Sequence, residues 1–462
     1  MARLREVVTV EPVLFTLKFS FSILFPLRLQ YIKQSVGVMH GISGVDSGHS
    51  GDTNNSCETV NRSDPNYILF EQLQAEASTW ILYFEVLSAV LTLISASFLG
   101  SYSERGGGRK ICVLIPVTGL TLYLFCILIN IYLELPLSFL FIAEFIRGIT
   151  GQGFTATAMS YAYIADITTE EQRAFRLILL EVCGFIGGSL AQITTGYWIR
   201  SHGYLPPTWL AYSLMILTVL YIIFWVEETV PVDKSVISKW KMRQQFVDIV
   251  SLFTGSSQGT RFQLSVFSIC LFVFFLIIGS APGIIILSLL GPPLCFTSVY
   301  IGYYQAIYDA MNAIGLFVAG KVLTRYLGDL ATAQVGFLSY GSSFLVIAFA
   351  VNDIMVLFAP VIGFILTVPL PAIKARISKL FEPGKQGIVF AYLGCIQSVS
   401  HCLSPVIFNG IYSATVTKSS SLIFITYAAT LTIPAFLVAM VQIMQCRKTR
   451  QEKYQTMEDV CG

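Results

Sequence analysis

The sequence predicts an all-α polytopic membrane protein with twelve transmembrane helices in two six-helix bundles. Composition gives the first reason: the chain is 55% hydrophobic and only 12% charged, with a mean hydropathy of +0.70. The second reason is that apolar runs of about 18 residues or more, long enough to cross a bilayer as helices, recur along the whole chain. A soluble globular chain would not have both properties.

Each apolar run is predicted to be a helix because backbone polar groups inside a bilayer must be satisfied within their own segment. The predicted spans are 12–32, 80–100, 111–132, 137–163, 177–199, 208–227, 263–289, 297–319, 331–350, 354–373, 387–410 and 421–445. An even number of spans places both termini on one side of the membrane. Placing them in the cytosol puts most of the 29 Lys and Arg residues in cytosolic segments, as the positive-inside rule requires.

Polar segments divide the predicted spans into domains. The prediction is an N-terminal bundle at 1–228, a cytosolic linker at 229–262, a C-terminal bundle at 263–446 and a cytosolic tail at 447–462. The basic linker could lie on the inner leaflet or simply be solvated, and both interpretations are open.

The first outer loop, 33–77, is rich in Gly, Ser and Asn and carries two glycosylation sequons. They begin at Asn54 and Asn61, and glycosylation of both is predicted. Of the ten cysteines, only Cys57 and Cys295 fall in outer loops. Because that side of the membrane is oxidising, they are a disulfide candidate that would join the two halves.

Known catalytic and metal-binding spacings do not occur in the chain. There is no C-x-x-C, H-E-x-x-H, G-x-S-x-G or Walker A motif, so no enzyme, metal site, cofactor or ATP-driven pump is predicted. Nothing points to a nucleic-acid partner, and the sequence does not define an oligomeric state.

The turn between the second and third spans reads "GSYSERGGGRK" (100–110) and contains three consecutive glycines and four charged residues. It resembles the major facilitator signature G-x-x-x-D-R/K-x-G-R-R/K. Glu replaces Asp, and one extra residue precedes the Arg-Lys pair. The resemblance implies a gating latch formed by Glu104, Arg105, Arg109 and Lys110. A solubilising charged turn is the alternative.

Motifs along nearly the whole chain extend this resemblance. They are "VEPVLF" and "PLRLQY" around the first span, "ADITTEEQRAFRLILLE" at 165–181, "GYWIRSHGY" at 196–204, "PPLCF" at 292–296, "IKARISKLFEPGKQG" at 373–387 and "IFNGIYSATV" at 407–416. Together they identify the chain as similar to the proton-coupled folate transporter family, solute carrier family 46, of the major facilitator superfamily. The resemblance implies secondary active transport, and it matches Cys57 and Cys295 to the family's inter-loop disulfide.

Charged groups inside the predicted spans are costly, at about 2.5–3.5 kcal/mol each on insertion scales, so each requires a partner or a function. Glu144 and Arg147 stand three residues apart on one helix face and are predicted to pair. Lys18 and Glu85 are predicted to pair between the first two helices. A lone histidine in an apolar helix, His401, is interpreted as a packing residue.

The predicted proton-coupling residue is Glu181. It lies in the fifth span before Gly184, Gly187 and Gly188, which give neighbouring helices a small-residue face for close approach. A carboxyl group there can take up and release a proton as access alternates, and it aligns with an acidic residue implicated in proton coupling in the family. A structural ion pair is the alternative.

Substrate-binding candidates come from two spans. Tyr304, Tyr308, Asp309 and Asn312 form a polar, aromatic stripe on the eighth span, suited to stacking a flat heterocycle, although core packing explains the same spacing. Lys374 aligns with an arginine that the family needs, which implies a cation for an anionic substrate. A positive-inside anchor is the alternative for Lys374.

Three positions depart from the family pattern. Gln152, also a substrate-binding candidate, stands where the folate transporter has an aspartate, Ile278 where it has a histidine, and Asn312 where it has a tyrosine. These departures favour a relative that carries another anionic or amphiphilic solute over folate itself.

The sequence therefore predicts a secondary active transporter, coupled to protons, for an anionic organic solute such as folate or a related heterocyclic compound. A non-transporting membrane receptor or scaffold with the same fold is the alternative. The expected partners are the solute, protons and the lipid bilayer. "YQTM" at 454–457 fits an endocytic pattern, so the plasma membrane and the endolysosomal membrane are both candidate locations.

Overall fold

The computed structural model describes residues 9–41, 65–104, 107–168, 170–229, 250–255, 257–291, 294–318, 323–381, 386–416 and 419–461, and every regular element within them is a helix. The N-terminal half contains α1 (Glu11–Met39), α2 (Pro65–Glu104), α3 (Arg109–Tyr132), α4 (Leu140–Ile149), α5 (Gln152–Ile167), α6 (Glu170–His202) and α7 (Leu205–Phe224). The C-terminal half contains α8 (Gln258–Leu289), α9 (Ser298–Val318), α10 (Thr324–Ala348), α11 (Asp353–Ile362), α12 (Pro369–Ser378), α13 (Gln386–Ser404), α14 (Gly410–Thr415) and α15 (Leu422–Cys461).

Seven of the described helices are long and apolar enough to cross a membrane: α1, α2, α3, α7, α8, α10 and α15. The other predicted spans are polar or interrupted. For example, α13 and α14 are separated by a π-helical turn at Pro405–Asn409. Twelve spans are compatible with this arrangement, and the number stays a prediction.

The fourth predicted span of each half is broken in the middle. In the N-terminal half, α4 ends before Gly151, whose φ of +95° is a left-handed conformation that favours glycine, and α5 begins at Gln152. In the C-terminal half, α11 ends at Ile362 and α12 begins only at Pro369. Interrupted helices at corresponding positions of two halves are a pointer to a transporter's binding region.

Helices extend into segments that the sequence assigned to loops. The ends of the predicted outer loop, 33–39 and 65–77, belong to α1 and α2, and α15 continues through the predicted tail. Helix α8 begins at Gln258, inside the predicted linker. The apolar pattern marks only the part of a helix that meets lipid, so hydropathy alone underestimates helix length.

Helices pack against one another both within each half and between the halves. Helix α1 packs on α6 and α7, and α3 packs on α4, α5 and α7, while α8 packs on α13 and α15, and α10 on α11, α12 and α15. Between the halves, the most extensive contact is that of α6 with α9, and α2 also packs on α13 and α14. Helices α6 and α9 are therefore the principal junction of the two bundles.

Glycines allow α6 and α9 to approach at backbone distance. A methyl group placed on Gly196 would lie 2.6 Å from the carbonyl oxygen of Ser298, and one on Gly302 would lie 2.7 Å from that of Gln192. Small residues at helix interfaces give membrane proteins the close packing that the hydrophobic effect cannot supply between helices in lipid.

Replacing Gly302 with alanine is expected to lower stability by about 1–3 kcal/mol, because the added methyl group must displace backbone rather than a flexible side chain. The measurement is the apparent melting temperature of the purified protein in detergent. Gly394→Ala is the matched control, since Gly394 lies in α13 with no atom within 4 Å of the added methyl group. Equal melting temperatures for the two variants would contradict a tight α6–α9 junction.

Candidate functional site

A cluster of four charged side chains joins α1, α2 and α4. Arg28 lies 2.6 Å from Glu85 and 3.1 Å from Glu144, and Arg147 lies 2.7 Å from Glu144 and 3.2 Å from Glu85. The predicted Glu144–Arg147 pair is confirmed. The predicted pairing of Lys18 with Glu85 is wrong, because Lys18 faces α6 whereas Glu85 faces Arg28 and Arg147. The cluster contains two positive and two negative charges, so it is neutral as a unit.

Polar neighbours fix this cluster in position. Tyr123 donates a hydrogen bond to Glu144 (3.1 Å), and its ring lies 5.3 Å from the Arg147 guanidinium. The Ser88 hydroxyl accepts hydrogen bonds from Arg147 (3.2 Å) and from Gln152 (2.7 Å). Gln152 is thereby connected to the ionic cluster at the start of α5.

A small polar cavity lies between the two halves, beside this cluster. The N-terminal half contributes α2 and α5, and the C-terminal half contributes α8 and α13. Its lining residues are Glu85, Ala89, Thr92, Leu93, Gln152, Phe154, Gly279, Ser398, His401 and Pro405. The broken α4–α5 span thus borders the cavity, as the interruption indicates.

Aromatic rings cross the cavity from one half to the other. The Phe154 ring stacks on the His401 imidazole at 5.5 Å with an interplanar angle of 12°. Behind His401, the ring of Phe275 lies 6.2 Å from the imidazole. No hydrogen bond to the His401 imidazole is found among the described residues. These ring contacts agree with the interpretation of His401 as a packing residue, and its imidazole also lines the cavity.

Lys374 lies at the end of this series of rings, with its ammonium group 5.5 Å from the centre of the Phe275 ring. The side chain is partly buried and belongs to α12, the helix that follows the break in the tenth predicted span. Within the described part of the chain, no carboxylate lies within 4 Å of it. Since the neighbouring ionic cluster is neutral, Lys374 gives this region an excess of one positive charge.

A second polar group lies at the junction of α1, α6 and α9. Lys18 forms an ion pair with Glu181, and its ammonium group lies 5.0 Å from the centre of the Phe185 ring. About three turns further along α6, Gln192 donates a hydrogen bond of 3.1 Å to Asp309 of α9. Asp309 does not line the cavity, so this junction is a distinct ionisable site.

The remaining candidates of α9 pack within the C-terminal half. Tyr304 is buried, and the Tyr308 side chain lies beside those of Tyr340 and Asn312. The Asn312 amide donates to the backbone carbonyl of Tyr308 at 2.9 Å. None of these three side chains lines the cavity, so their role in binding the solute stays a prediction.

The halves are joined by hydrogen bonds at the predicted outer end. Gln74 of α2 donates to the carbonyl oxygen of Leu287 at 2.7 Å and also bonds the Tyr412 hydroxyl. Lys33 of α1 donates to the carbonyl oxygen of Leu290. These contacts connect α1 and α2 with α8 and α14, so the halves are in contact at that end of the molecule.

The glycine-rich turn contacts its own half. Arg109 donates hydrogen bonds to Asp166 and Ser103, both at 2.8 Å. Glu228 accepts from the backbone amides of Arg109 (2.6 Å) and Lys110 (3.1 Å), the first amides of α3, which is the favourable position for an anion at a helix N-terminus. Sequence reasoning missed both acids, although Asp166 stands in the "ADITTEEQR" motif.

Several predicted residues lie outside the described part of the chain. They are Arg105, Cys57, Asn54 and Asn61, and for Glu104, the last residue of α2, the side chain is not described. Cys295 is disulfide-bonded. Its pairing with Cys57 and the glycosylation of both asparagines stay predictions.

Comparison with known proteins agrees with this architecture. A sequence model of the Major Facilitator Superfamily matches residues 13–405. The chain is 29% identical to the proton-coupled folate transporter of Rattus norvegicus, over 94% of this chain and 92% of that protein. It is 27% identical to the lysosomal proton-coupled steroid conjugate and bile acid symporter SLC46A3 of Gallus gallus, over 93% of each chain. The predicted resemblance to solute carrier family 46 is confirmed, and these relatives are transporters rather than enzymes.

Among solved structures, the fold is similar to that of the human organic anion transporter MFSD10 (TETRAN). The TM-score is 0.65 at 17% sequence identity, and the superposition covers 94% of this chain and 99% of that one. This likeness concerns the fold alone. The predicted fold and the predicted class of integral membrane transporter are confirmed, and the chain belongs to the Major Facilitator Superfamily.

Proposed function

We propose that this protein is a proton-coupled symporter of organic anions, with the solute bound in the cavity between the two halves. Lys374 is the observation that carries the proposal. A cationic side chain partly buried in a membrane domain, with no acidic partner among the described residues, is expected to have a functional partner. An anionic group of the solute is the simplest one.

The aromatic series next to Lys374 supports a solute with a ring system. Phe275, His401 and Phe154 connect the ammonium group to the cavity through successive ring contacts. A flat or polycyclic body would pack against these rings, and its carboxylate or sulfate would approach Lys374. The names of the relatives, which include folate, steroid conjugates and bile acids, fit the same description of an anionic ring compound.

Polar groups of the cavity would orient the solute. Gln152 is held by Ser88 and faces the cavity together with Glu85, while His401 and Ser398 face it from the other half. Hydrogen bonds from both halves would allow the solute to bias their relative position, which alternating access requires. Tyr304, Tyr308 and Asn312 are proposed to support this region from within the C-terminal half.

For proton coupling we propose Glu181, which lies at the junction of the halves and is paired with Lys18. Replacing Glu181 with glutamine is expected to abolish accumulation driven by a pH gradient, because the amide cannot carry the proton. Exchange of labelled for unlabelled solute should persist, since exchange needs no net proton movement. Both are measured in proteoliposomes, and unchanged accumulation would contradict the assignment.

The turn at Arg109 and Lys110, with Glu104 and Arg105 before it, is proposed to act as a latch at the cytosolic end. Its support is the pair of acids, Asp166 and Glu228, that hold Arg109 and the start of α3 in this conformation. The distribution of Lys and Arg supports cytosolic termini. A Cys57–Cys295 disulfide and the halves 1–228 and 263–446 complete the proposed organisation.

For the compartment, two proposals have support. The lysosomal relative from Gallus gallus supports the endolysosomal membrane. The tyrosine-based endocytic pattern at 454–457 supports the plasma membrane, because endocytosis begins there.

The proposed function is tested by uptake into proteoliposomes that contain the purified protein. Radiolabelled folates, steroid sulfates and bile acids are each offered with and without an inward proton gradient. Accumulation of at least one of them above the external concentration, lost when a protonophore collapses the gradient, is the expected result. No flux across the whole anion panel would instead support a receptor or scaffold that retains the carrier fold.

A further inference from the structure

Helix α6 carries a single face of polar and small residues toward α1 and α9. Glu181, Gly184, Gly188 and Gln192 recur at intervals of three and four residues, which places them on one side of the helix. Lys18 pairs with the first of them and Asp309 with the last. One carboxyl group of the junction, that of Glu181, therefore belongs to α6 at one end of this face, and the other, that of Asp309, comes from α9 at the opposite end.

Glycines bring the lysine and the aspartate onto the same face of α6. A methyl group placed on Gly184 would lie 2.6 Å from Cδ of Lys18, and one on Gly188 would lie 2.6 Å from Oδ2 of Asp309. These glycines are one turn apart, or about 6 Å along the helix axis. The Lys18 ammonium, on a flexible four-carbon stem, can therefore reach either carboxyl group by a change of side-chain conformation.

Charge does not balance at this junction. The charged groups of the described residues there are the ammonium of Lys18 and the carboxyl groups of Glu181 and Asp309, and Lys18 is the charged group that acts electrostatically on Asp309. The other neighbours of Asp309 are neutral: Gln192 of α6, Ser22 of α1 and the adjacent Tyr308. With both acids ionised, a net negative charge would remain inside the membrane domain, at substantial cost.

Gln192 supplies an independent observation. Its side chain is 6% exposed, its Nε2 donates to Asp309, and its Oε1 is buried without a hydrogen-bond partner among the described residues. A rotated amide would instead present its oxygen to Asp309 and accept a hydrogen bond from a protonated carboxyl group. Gln192 is therefore able to bind Asp309 in both of its protonation states.

We propose that Glu181 and Asp309 share one proton, and that Lys18 forms the ion pair with whichever of the two is ionised. In the conformation described here Lys18 pairs with Glu181, so the proton resides on Asp309. Because α6 belongs to one half and α9 to the other, transfer of Lys18 from Glu181 to Asp309 moves the proton between the halves. The inference deepens the proposed function, on which it rests for the link to solute transport.

The charge count predicts the behaviour of three variants. Asp309→Asn leaves Lys18 permanently paired with Glu181, and Glu181→Gln leaves it paired with Asp309, so neither variant should hold the shared proton. Asp309→Asn combined with Lys18→Met leaves a single carboxyl group without a cation, which should again take up a proton. If these residues had a purely structural role, the double variant would not regain a protonated carboxyl group.

Infrared spectroscopy of the protein in lipid at neutral pH detects this proton through the carbonyl band of a protonated carboxyl group. The wild type should show the band, both single variants should lack it, and the double variant should regain it. Its absence from the wild type, or its persistence in Asp309→Asn, would overturn the shared proton. If Asp309→Asn does not fold, Glu181→Gln tests the proposal by itself, because it should also lack the carbonyl band.

Transport separates this inference from the proposed function. In proteoliposomes, Asp309→Asn should lose accumulation driven by a pH gradient but retain exchange, and the double variant should regain part of that accumulation. If the wild type shows the infrared band but no proton-driven accumulation of any anion, the proposed function fails while the shared proton stands. If the wild type accumulates solute and Asp309→Asn accumulates it equally, the coupling role of Asp309 is refuted.

Discussion

Replacing Lys374 with glutamine is expected to raise the apparent KM for an organic anion about 10- to 100-fold. A hydrogen bond to a charged group contributes about 1.5–3 kcal/mol, and each 1.4 kcal/mol is a factor of about ten in affinity. The expectation follows from the position of the ammonium group on the Phe275 ring, without a carboxylate partner among the described residues. Initial rates of uptake over a range of concentrations provide the measurement.

Two control variants show whether an effect on KM comes from the positive charge at position 374. Lys374→Arg retains the positive charge and should preserve a large part of the affinity. Lys379→Gln removes a lysine five residues further on, whose side chain is 65% exposed and pairs with Asp329, and it should leave KM unchanged. If glutamine at 374 left KM unchanged as well, the anion would bind elsewhere and Lys374 would be the positive-inside anchor that the sequence also allows.

The sequence predicts those features of the site that depend on one helix. Glu144 and Arg147 were expected to pair because residues three apart share a helix face. The fold class follows for a similar reason, since the length and hydropathy of each segment are local properties. The motif resemblance supplies the order of the spans and the family, which local properties alone could not give.

Contacts between helices depend on how each helix is rotated about its axis, which hydropathy does not report. Lys18 and Arg28 both lie in α1, but ten residues at 100° per residue place their side chains about 80° apart around the helix and about 15 Å apart along it. Lys18 consequently meets Glu181 on α6, and Arg28 meets Glu85 on α2. This rotation explains why the prediction of a Lys18–Glu85 pair was wrong.

Contacts between the two halves are harder to predict from the sequence than contacts within one half. Phe154 and His401 stack across the cavity although 247 positions separate them in the chain, and neither belongs to a recognisable motif. The break at Gly151 and Gln152 was the available signal, because an interrupted span marks where backbone and side chains face a cavity. The corresponding break before α12 would have indicated the region of Lys374 in the same way.

The second large effect concerns Glu144, and here stability rather than transport should respond. Glu144→Gln is expected to destabilise the protein by about 3–5 kcal/mol, because it leaves Arg28 and Arg147 buried with only Glu85 to neutralise them. The Glu144 side chain is 1% exposed, so water cannot replace the missing charge. The measurement is thermal unfolding in detergent, followed with a thiol-reactive dye that reports exposure of the buried Cys112 and Cys270.

A charge-neutral double variant distinguishes this explanation from simple loss of packing. Glu144→Gln together with Arg147→Gln leaves Arg28 paired with Glu85, so the double variant should unfold at a higher temperature than Glu144→Gln alone. Glu85→Gln should cost less than Glu144→Gln, because the Glu85 side chain is 30% exposed and borders the cavity. Additive losses in the double variant would contradict a charge-balanced cluster. If the expected order is found, the cluster is the rigid ionic base of the N-terminal half, next to which Gln152 and Phe154 line the cavity.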